Sequence, residues 1–176
     1  MPKYIAFLRA VNVGGRVVKM EELKKICALP GLKNISTFIQ SGNVLFESAA
    51  DKNALTKRLE AALKKKLNYE VLVFLKTVED IEAIIGQNPF ARTMKEKHLY
   101  VTMMSEEAKE ENIKALLAYK TKDEEVKFIG TNAYLLFPPK TYGQTKLSNA
   151  MLEKKLKVNA TTRNWATMNK IIGKEI

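Results

Sequence analysis

The sequence is poor in the residues that most often carry metal, redox and acid–base chemistry. Its 176 residues include one cysteine, Cys27, and one histidine, His98. A single cysteine excludes an internal disulfide framework and is typical of a reducing compartment. One cysteine and one histidine cannot form a zinc cluster, so we expect no metal and no other cofactor. We interpret His98, which follows a charged loop, as a surface residue rather than a general base.

Long apolar runs are missing as well. No stretch of the sequence approaches the roughly 20 apolar residues that a membrane-spanning helix needs. The first residues lead directly into a strand-like run and show no signal-peptide pattern. We therefore expect a cytoplasmic protein that has no membrane partner.

The common nucleotide-binding and nucleophile motifs are also absent. Neither a Gly-x-x-x-x-Gly-Lys-Ser/Thr loop nor a Gly-x-Gly-x-x-Gly loop occurs. Ser41 lies outside any Gly-x-Ser-x-Gly elbow and has no histidine near it in sequence to activate it. The pair Gly14-Gly15 precedes a predicted helix. It either presents backbone N–H groups to an anion or forms a plain flexible turn.

Positive charge, by contrast, is abundant. The chain has 30 lysines and arginines against 19 acidic residues, a net charge of +11. That excess makes polyanions and phosphates candidate partners, so nucleic acid is retained as an alternative. The structural interpretation is that residues 64–66, Lys154 and Lys155 close predicted helices. Cations there complement the helix dipole without a ligand.

The first half of the chain has apolar periodicities that predict the order β-α-β-β-α-β. Strand-like runs alternate with helical spacing that begins at Met20 and again after Asp51, a suitable N-cap. The predicted strands are Tyr4–Leu8, Ile35–Ile39, Asn43–Glu47 and Val71–Leu75.

This order is that of the ferredoxin-like arrangement, a four-stranded antiparallel sheet with two helices on one face. In that topology the ends of the first two strands and the start of the third meet at one edge of the sheet. We therefore expect two sets of polar and glycine residues to converge there: Arg9, Asn12, Gly14 and Gly15 from a loop, with Gln40, Ser41 and Asn43 from a turn.

The second half repeats most of this plan, as β-α-β-β-α. We predict an α+β fold of two tandem ferredoxin-like lobes, residues 1–76 and 77–176, with a helix at the C-terminus. Ser105 is expected to cap a helix that runs through Tyr119, and Thr161 and Thr162 to cap the final helix.

The turn of the first hairpin, Gln40-Ser41-Gly42-Asn43, holds more hydrogen-bonding chemistry than a hairpin requires. Gly42 supplies a positive φ, and serine or asparagine can bond the turn backbone. Gln40 is not needed for either the positive φ or the backbone hydrogen bonds of the turn. Two interpretations stay open, a purely structural turn and a turn that also forms the wall of a ligand site.

Several basic and polar residues elsewhere are further candidates. Arg9, at a strand end, either binds a phosphate or carboxylate as a planar fork or pairs with a buried carboxylate. Arg163 and Asn164 fall in the predicted first turn of the last helix, where an arginine opposes the dipole and invites an anionic partner. Lys146 supplies one more cation, and we interpret Trp165 as a core residue.

The chain resembles a known bacterial family, domain of unknown function 1697, from about Tyr4 to Ile172. The blocks that carry the resemblance, in order, are "FLRAVNVGG", "KMEEL", "TFIQSGNVLF", "NPF", "KLSNAMLEKKL" and "ATTRNWATMNKI". One departure is Ala10, where the family usually has glycine. The resemblance implies paired ferredoxin-like lobes and implies no reaction.

Three functional hypotheses follow. The favoured one is a protein that binds a small anionic or phosphate-bearing ligand. The alternatives are nucleic-acid binding through the basic surface and a small enzyme that uses the same polar cluster. The residues expected to form the ligand site are Arg9, Asn12, Gly14, Gly15, Gln40, Ser41, Asn43, Lys146, Arg163 and Asn164.

Overall fold

The described residues form eight strands and six α-helices. The structure, a computed structural model, describes residues 1–93, 98–139 and 141–173, with Tyr142 described by its backbone only. The strands are β1 (Lys3–Leu8), β2 (Lys33–Phe38), β3 (Asn43–Glu47), β4 (Val73–Thr77), β5 (His98–Met104), β6 (Glu125–Ile129), β7 (Asn132–Phe137) and β8 (Ala160–Asn164). The helices are α1 (Met20–Ile26), α2 (Lys52–Leu67), α3 (Val78–Gly86), α4 (Glu110–Leu117), α5 (Asn149–Leu156) and α6 (Trp165–Ile172).

The first sheet has the strand order β2-β3-β1-β4 with antiparallel neighbours throughout. This is the ferredoxin-like order that the sequence predicts. In the pairing of β1 with β3, Tyr4 lies opposite Phe46 and Phe7 lies opposite Asn43. The end of β1 and the start of β3 are therefore at the same edge of the sheet.

The first core lies between this sheet and the helices α1 and α2. Tyr4, Ala6 and Leu8 of β1 belong to one buried cluster with Leu23 of α1 and Leu59 of α2. The intervening β1 residues alternate to the opposite face and are buried as well. Burial on both faces explains why β1 is a continuous apolar run rather than an alternating one.

Helix starts in this part of the chain follow their sequence signals. The Asp51 carboxylate accepts hydrogen bonds from Asn53 N and Ala54 N at 2.9 and 3.0 Å and so caps α2. Before α3, Asp80 N donates to Thr77 Oγ1 at 3.1 Å, and Thr77 N donates to Asp80 Oδ2 at 3.0 Å. This reciprocal pair forms a capping box.

The second sheet has the order β6-β7-β5-β8, again antiparallel, and it corrects one prediction. Thr161 and Thr162 do not cap the last helix, because they lie within the strand β8. Thr162 pairs with Thr102 of β5, and the two hydroxyls are 2.8 Å apart. The second lobe is therefore a full β-α-β-β-α-β unit, and α6 begins at Trp165.

A second correction concerns Ser105. The helix α4 begins at Glu110, after an N-cap at Lys109 that forms no side-chain cap bond. The Ser105 hydroxyl instead accepts a hydrogen bond from Asn159 N at 3.2 Å. Ser148, in contrast, caps α5, since its hydroxyl accepts from Met151 N at 3.3 Å.

Contacts within the chain group the residues into two compact units. The first comprises Met1–Glu82 and the chain end from Ile171, and the second comprises Ala83–Lys170. Within the described ranges, no helix is both long enough and apolar enough to cross a membrane.

The ion pair between Lys52 and Asp80 yields the first prediction. Their N···O distance is 2.8 Å, and the Asp80 side chain is 40% exposed. Burial disfavours the charged carboxylate, but hydrogen bonds from Lys52 and the Thr77 N–H, with the charges of Lys52 and Lys76, lower the pKa of Asp80 below its usual value. A carboxyl with a lowered folded-state pKa stabilises the fold above its unfolded pKa of about 3.9, and this stabilisation is lost as the pH falls.

We expect Asp80→Asn to lower the free energy of unfolding at neutral pH by about 1 kcal/mol, because water screens a pair this exposed. The difference from wild type should shrink as urea denaturation is repeated at pH values below about 4. Glu70→Gln, which removes the exposed partner of Lys64, is the control and should change little. A difference for Asp80→Asn that stays constant across this pH range would contradict the assignment.

Candidate functional site

A loop and a turn converge at one edge of the first sheet, as the topology predicts. Asn12 Nδ2 donates to the backbone carbonyl of Gln40 at 2.7 Å. Beside this contact, Leu8 N donates to the Gly42 carbonyl at 2.8 Å. We call residues 9–18 together with the turn Gln40–Asn43 the loop–turn surface.

Two of the turn's polar side chains hold the turn itself. Asn43 is fully buried, and its Nδ2 donates to the Phe38 carbonyl at 3.0 Å and to Ser41 Oγ at 2.9 Å. These bonds fix the turn from inside. The structural interpretation of the turn therefore holds for Ser41 and Asn43.

Gly42 is required by both conformation and space. Its φ is +74°, a region that side chains disfavour. A β-carbon built there would lie 3.1 Å from Val11 Cβ and 3.3 Å from Leu8 Cβ. The turn thus packs directly against the loop, and a methyl group would require its neighbours to shift by a few tenths of an ångström.

Gln40 differs from its neighbours in the turn. Its backbone carbonyl accepts from Asn12, yet the residue is exposed. Its side-chain amide makes no hydrogen bond to any residue in the described ranges. The amide is available to an external partner, in accord with the sequence argument that the turn does not need it.

Gly14 and Gly15 form the outer part of the loop. Both are exposed, with φ of +65° and +82°, and a β-carbon at either would meet nothing within 4 Å. Their backbone N–H groups make no hydrogen bond to another described residue. Open N–H groups on such a loop are the kind of donors that bind anions.

Strained backbone is concentrated in the loop–turn surface. Six non-glycine residues in the described part of the chain have positive φ, and three of them lie here or directly beside it: Ala10 at 62°, Asn12 at 58° and Ile39 at 49°. A β-branched residue such as Ile39 is an outlier in this region. At the φ of Ala10 a glycine would be less strained than an alanine.

Sequence reasoning did not identify Arg16 and Tyr69 as parts of this site. The Arg16 guanidinium carbon lies 4.5 Å from the centre of the Tyr69 ring. The Tyr69 hydroxyl is buried and has no hydrogen-bond partner among the described residues. No sequence signal links the two, because 53 residues separate them.

The remaining predicted site residues lie at the end of β1, where Arg9 was expected, and in the second unit. Arg9 follows β1, is half-buried, and donates its backbone N–H to the Leu72 carbonyl at 2.9 Å. Arg163 is not in a helical turn but in β8, where its Nη1 donates to Thr161 Oγ1 at 2.8 Å and to the Thr162 carbonyl at 2.9 Å.

Lys146, Arg163 and Asn164 belong to the second unit. Asn164 has a capping role, because its Oδ1 accepts from Thr167 N at 2.7 Å at the start of α6. Trp165, expected in the core, is half-buried. Lys146 is exposed.

The first sheet does not offer stacking platforms for RNA bases. Such surfaces need exposed rings on the two central strands. Here Tyr4, Phe7 and Phe46 are at most 7% exposed, and Tyr4 stacks on Phe46 with ring centres 5.7 Å apart. These rings belong to the core.

Comparisons with known proteins identify a family and a fold. The model of a family described as a protein of unknown function, DUF1697, matches residues 1–134. A solved structure of the conserved bacterial protein SP0830 from Streptococcus pneumoniae is similar, with a TM-score of 0.76 and 24% sequence identity over 98% of this chain and 97% of that one. At that identity the likeness establishes the fold alone. A search among curated proteins found no match.

Two glycine substitutions distinguish the energetic cost of steric crowding from the cost of a left-handed backbone conformation. Gly14→Ala should cost about 1 kcal/mol, because it adds only the penalty of a left-handed conformation. Gly42→Ala should cost about 2 kcal/mol or more, since its methyl group also meets Val11 and Leu8. Urea denaturation of both variants measures the difference, and equal losses would show that the loop and turn are not packed as described.

Proposed function

The chain belongs to the DUF1697 family of proteins of unknown function, and we propose that it binds a small anionic or phosphate-bearing ligand at the loop–turn surface. The observation that carries the proposal is the concentration of left-handed backbone at this edge, including a β-branched residue, Ile39. Strained conformations persist where the surrounding structure enforces them, and they cluster at ligand sites.

The proposed site combines hydrogen-bond donors with positive charge. The N–H groups of Gly14 and Gly15 and the amide of Gln40 face no described acceptor and supply neutral hydrogen bonds. Arg9 and Arg16 supply positive charge, and an arginine fork suits the planar spacing of phosphate and carboxylate oxygens. Together they fit a ligand with a compact, oxygen-rich negative group.

Hydrogen bonds within the loop and the turn position these donors. Asn12 ties the loop to the turn, and Asn43 with Ser41 fixes the turn. The buried Tyr69 hydroxyl beneath Arg16 adds support, because buried polar groups rarely stay without a partner. A bound water or ligand atom would supply that partner.

The alternatives are supported by fewer observations. The net charge of +11 favours nucleic acid, but binding of that kind is sequence-blind and weakens steeply with salt. Catalysis by Ser41 would need a base to activate its hydroxyl, but the described partner of that hydroxyl is the amide of Asn43, which donates to it. Burial raises the pKa of the Cys27 thiol to about 12, so Cys27 is not a nucleophile at neutral pH.

Gln40→Ala tests the proposal. A thermal-shift screen of nucleotides, phosphorylated metabolites and oligonucleotides should find a small anion that stabilises the wild type. At a hundredfold excess over Kd the gain is about 2.7 kcal/mol. Gln40→Ala should keep the melting temperature of the free protein, because the amide leaves no buried partner behind, and should lose most of the gain.

Gln87→Ala is the matched control, an exposed glutamine in the second unit. It should respond to the ligand as the wild type does. If Gln40→Ala instead destabilises the free protein by more than about 2 kcal/mol, Gln40 is a structural residue and the site loses its best donor. Stabilisation by oligonucleotides alone that persists at physiological salt would favour the nucleic-acid alternative.

A further inference from the structure

The second unit contains a cavity that no part of the proposed function uses. Its volume is about 720 Å³, within the range of roughly 300–1,000 Å³ typical of small-molecule sites. It lies between the segment that follows α4 and the segment that precedes α5. Residues that line it and matter below are Tyr119, Lys120, Glu124, Pro138, Gln144 and Lys146.

One wall of the cavity is fixed by a hydrogen-bond network around Glu124, which is only 3% exposed. The hydroxyl of Thr145 donates to Glu124 Oε1, and the N–H of Thr121 donates to Oε2 at 2.8 Å. Lys120 Nζ donates to the Glu124 carbonyl at 3.0 Å. Because each carboxylate oxygen already has a donor, Glu124 is not an open cation ligand.

Lysines lie at the rim of the cavity and beside it. Lys155 Nζ donates to the Tyr119 hydroxyl at 2.8 Å and lies 4.3 Å from the ring centre. This hydrogen bond, with the charges of Lys155, Lys154 and Lys146, lowers the pKa of Tyr119. Lys120 and Lys146 line the cavity itself, together with the two acidic residues Asp123 and Glu124.

Apolar surface completes the site. Ala118, Pro138 and the ring of Tyr119, which is 38% exposed, contribute it. An apolar wall with a few convergent polar groups is the usual composition of a small-molecule site. Thr141 and Gln144 add polar groups that can orient a ligand.

We propose that this cavity binds a small organic anion, an apolar ring or chain that carries one phosphate or carboxylate group. The apolar part packs against Pro138 and Tyr119, and the anionic group is held at the rim by Lys146. This site is separate from the loop–turn surface, since it is built from residues of the second unit alone.

Titration of the isotope-labelled full chain with phenyl phosphate, followed by amide NMR, tests the proposal. We expect saturable shifts at residues 118–124 and 144–146, with a Kd below about 1 mM. Two fragments serve as controls: inorganic phosphate is the head group alone, and benzyl alcohol is the apolar body alone. Each should bind at least about tenfold more weakly than phenyl phosphate, because each makes half of the contacts.

Lys146→Gln should weaken phenyl phosphate binding about three- to fivefold, the effect expected of an exposed charge pair. Lys114→Gln is the control, because Lys114 is another exposed lysine, which pairs with Glu110 on α4. It should leave the Kd unchanged, as should Gln40→Ala in the first unit. The proposal is overturned if no saturable shift occurs at these residues, if inorganic phosphate binds as tightly as phenyl phosphate, or if Lys146→Gln binds like the wild type.

Discussion

The side-chain amide of Asn12 is the contact on which the loop–turn surface depends. Its Nδ2 donates to the Gln40 carbonyl at 2.7 Å, and its Oδ1 accepts from Val18 N at 2.6 Å. One amide therefore closes the loop on itself and joins it to a turn 28 residues away. Asparagine suits this position because it carries both a donor and an acceptor and tolerates the left-handed backbone found here. With these bonds in place, Gly14 and Gly15 extend outward and keep their N–H groups accessible.

Much of the fold was predictable because its signals are local and its topology is constrained. Asp51 caps α2 by accepting hydrogen bonds from the N–H groups two and three residues later. Gly42 is required by the positive φ of its own turn. The periodicity of the first half then permits few arrangements, since crossover handedness fixes the strand directions. Convergence of Asn12 with Gln40 followed from that topology, although the hydrogen bond between them could not be inferred from the sequence.

The features that sequence reasoning missed rest on contacts between distant residues. The local sequence predicts that Thr162 caps a helix. In the structure Thr162 instead pairs with Thr102, 60 residues earlier, and this pairing places it in the strand β8. The contact of Arg16 with Tyr69 likewise has no local pattern. Lys146 was identified as a cation, yet the cavity that it lines is formed by segments before and after β6 and β7. Such contacts depend on packing across the fold, which neither propensity nor periodicity encodes.

An amide NMR titration of the wild-type protein with pyrophosphate, a compact phosphate-bearing anion, tests anion binding at the loop–turn surface. If the loop–turn surface is an anion site, the backbone N–H signals of Gly14 and Gly15 and the side-chain amide signals of Gln40 should shift together and saturate along one binding curve. Asn43, whose amide is buried and bonded within the turn, should shift much less. The account is contradicted if the signals of Gly14, Gly15 and Gln40 stay in place while pyrophosphate is raised well above physiological phosphate levels.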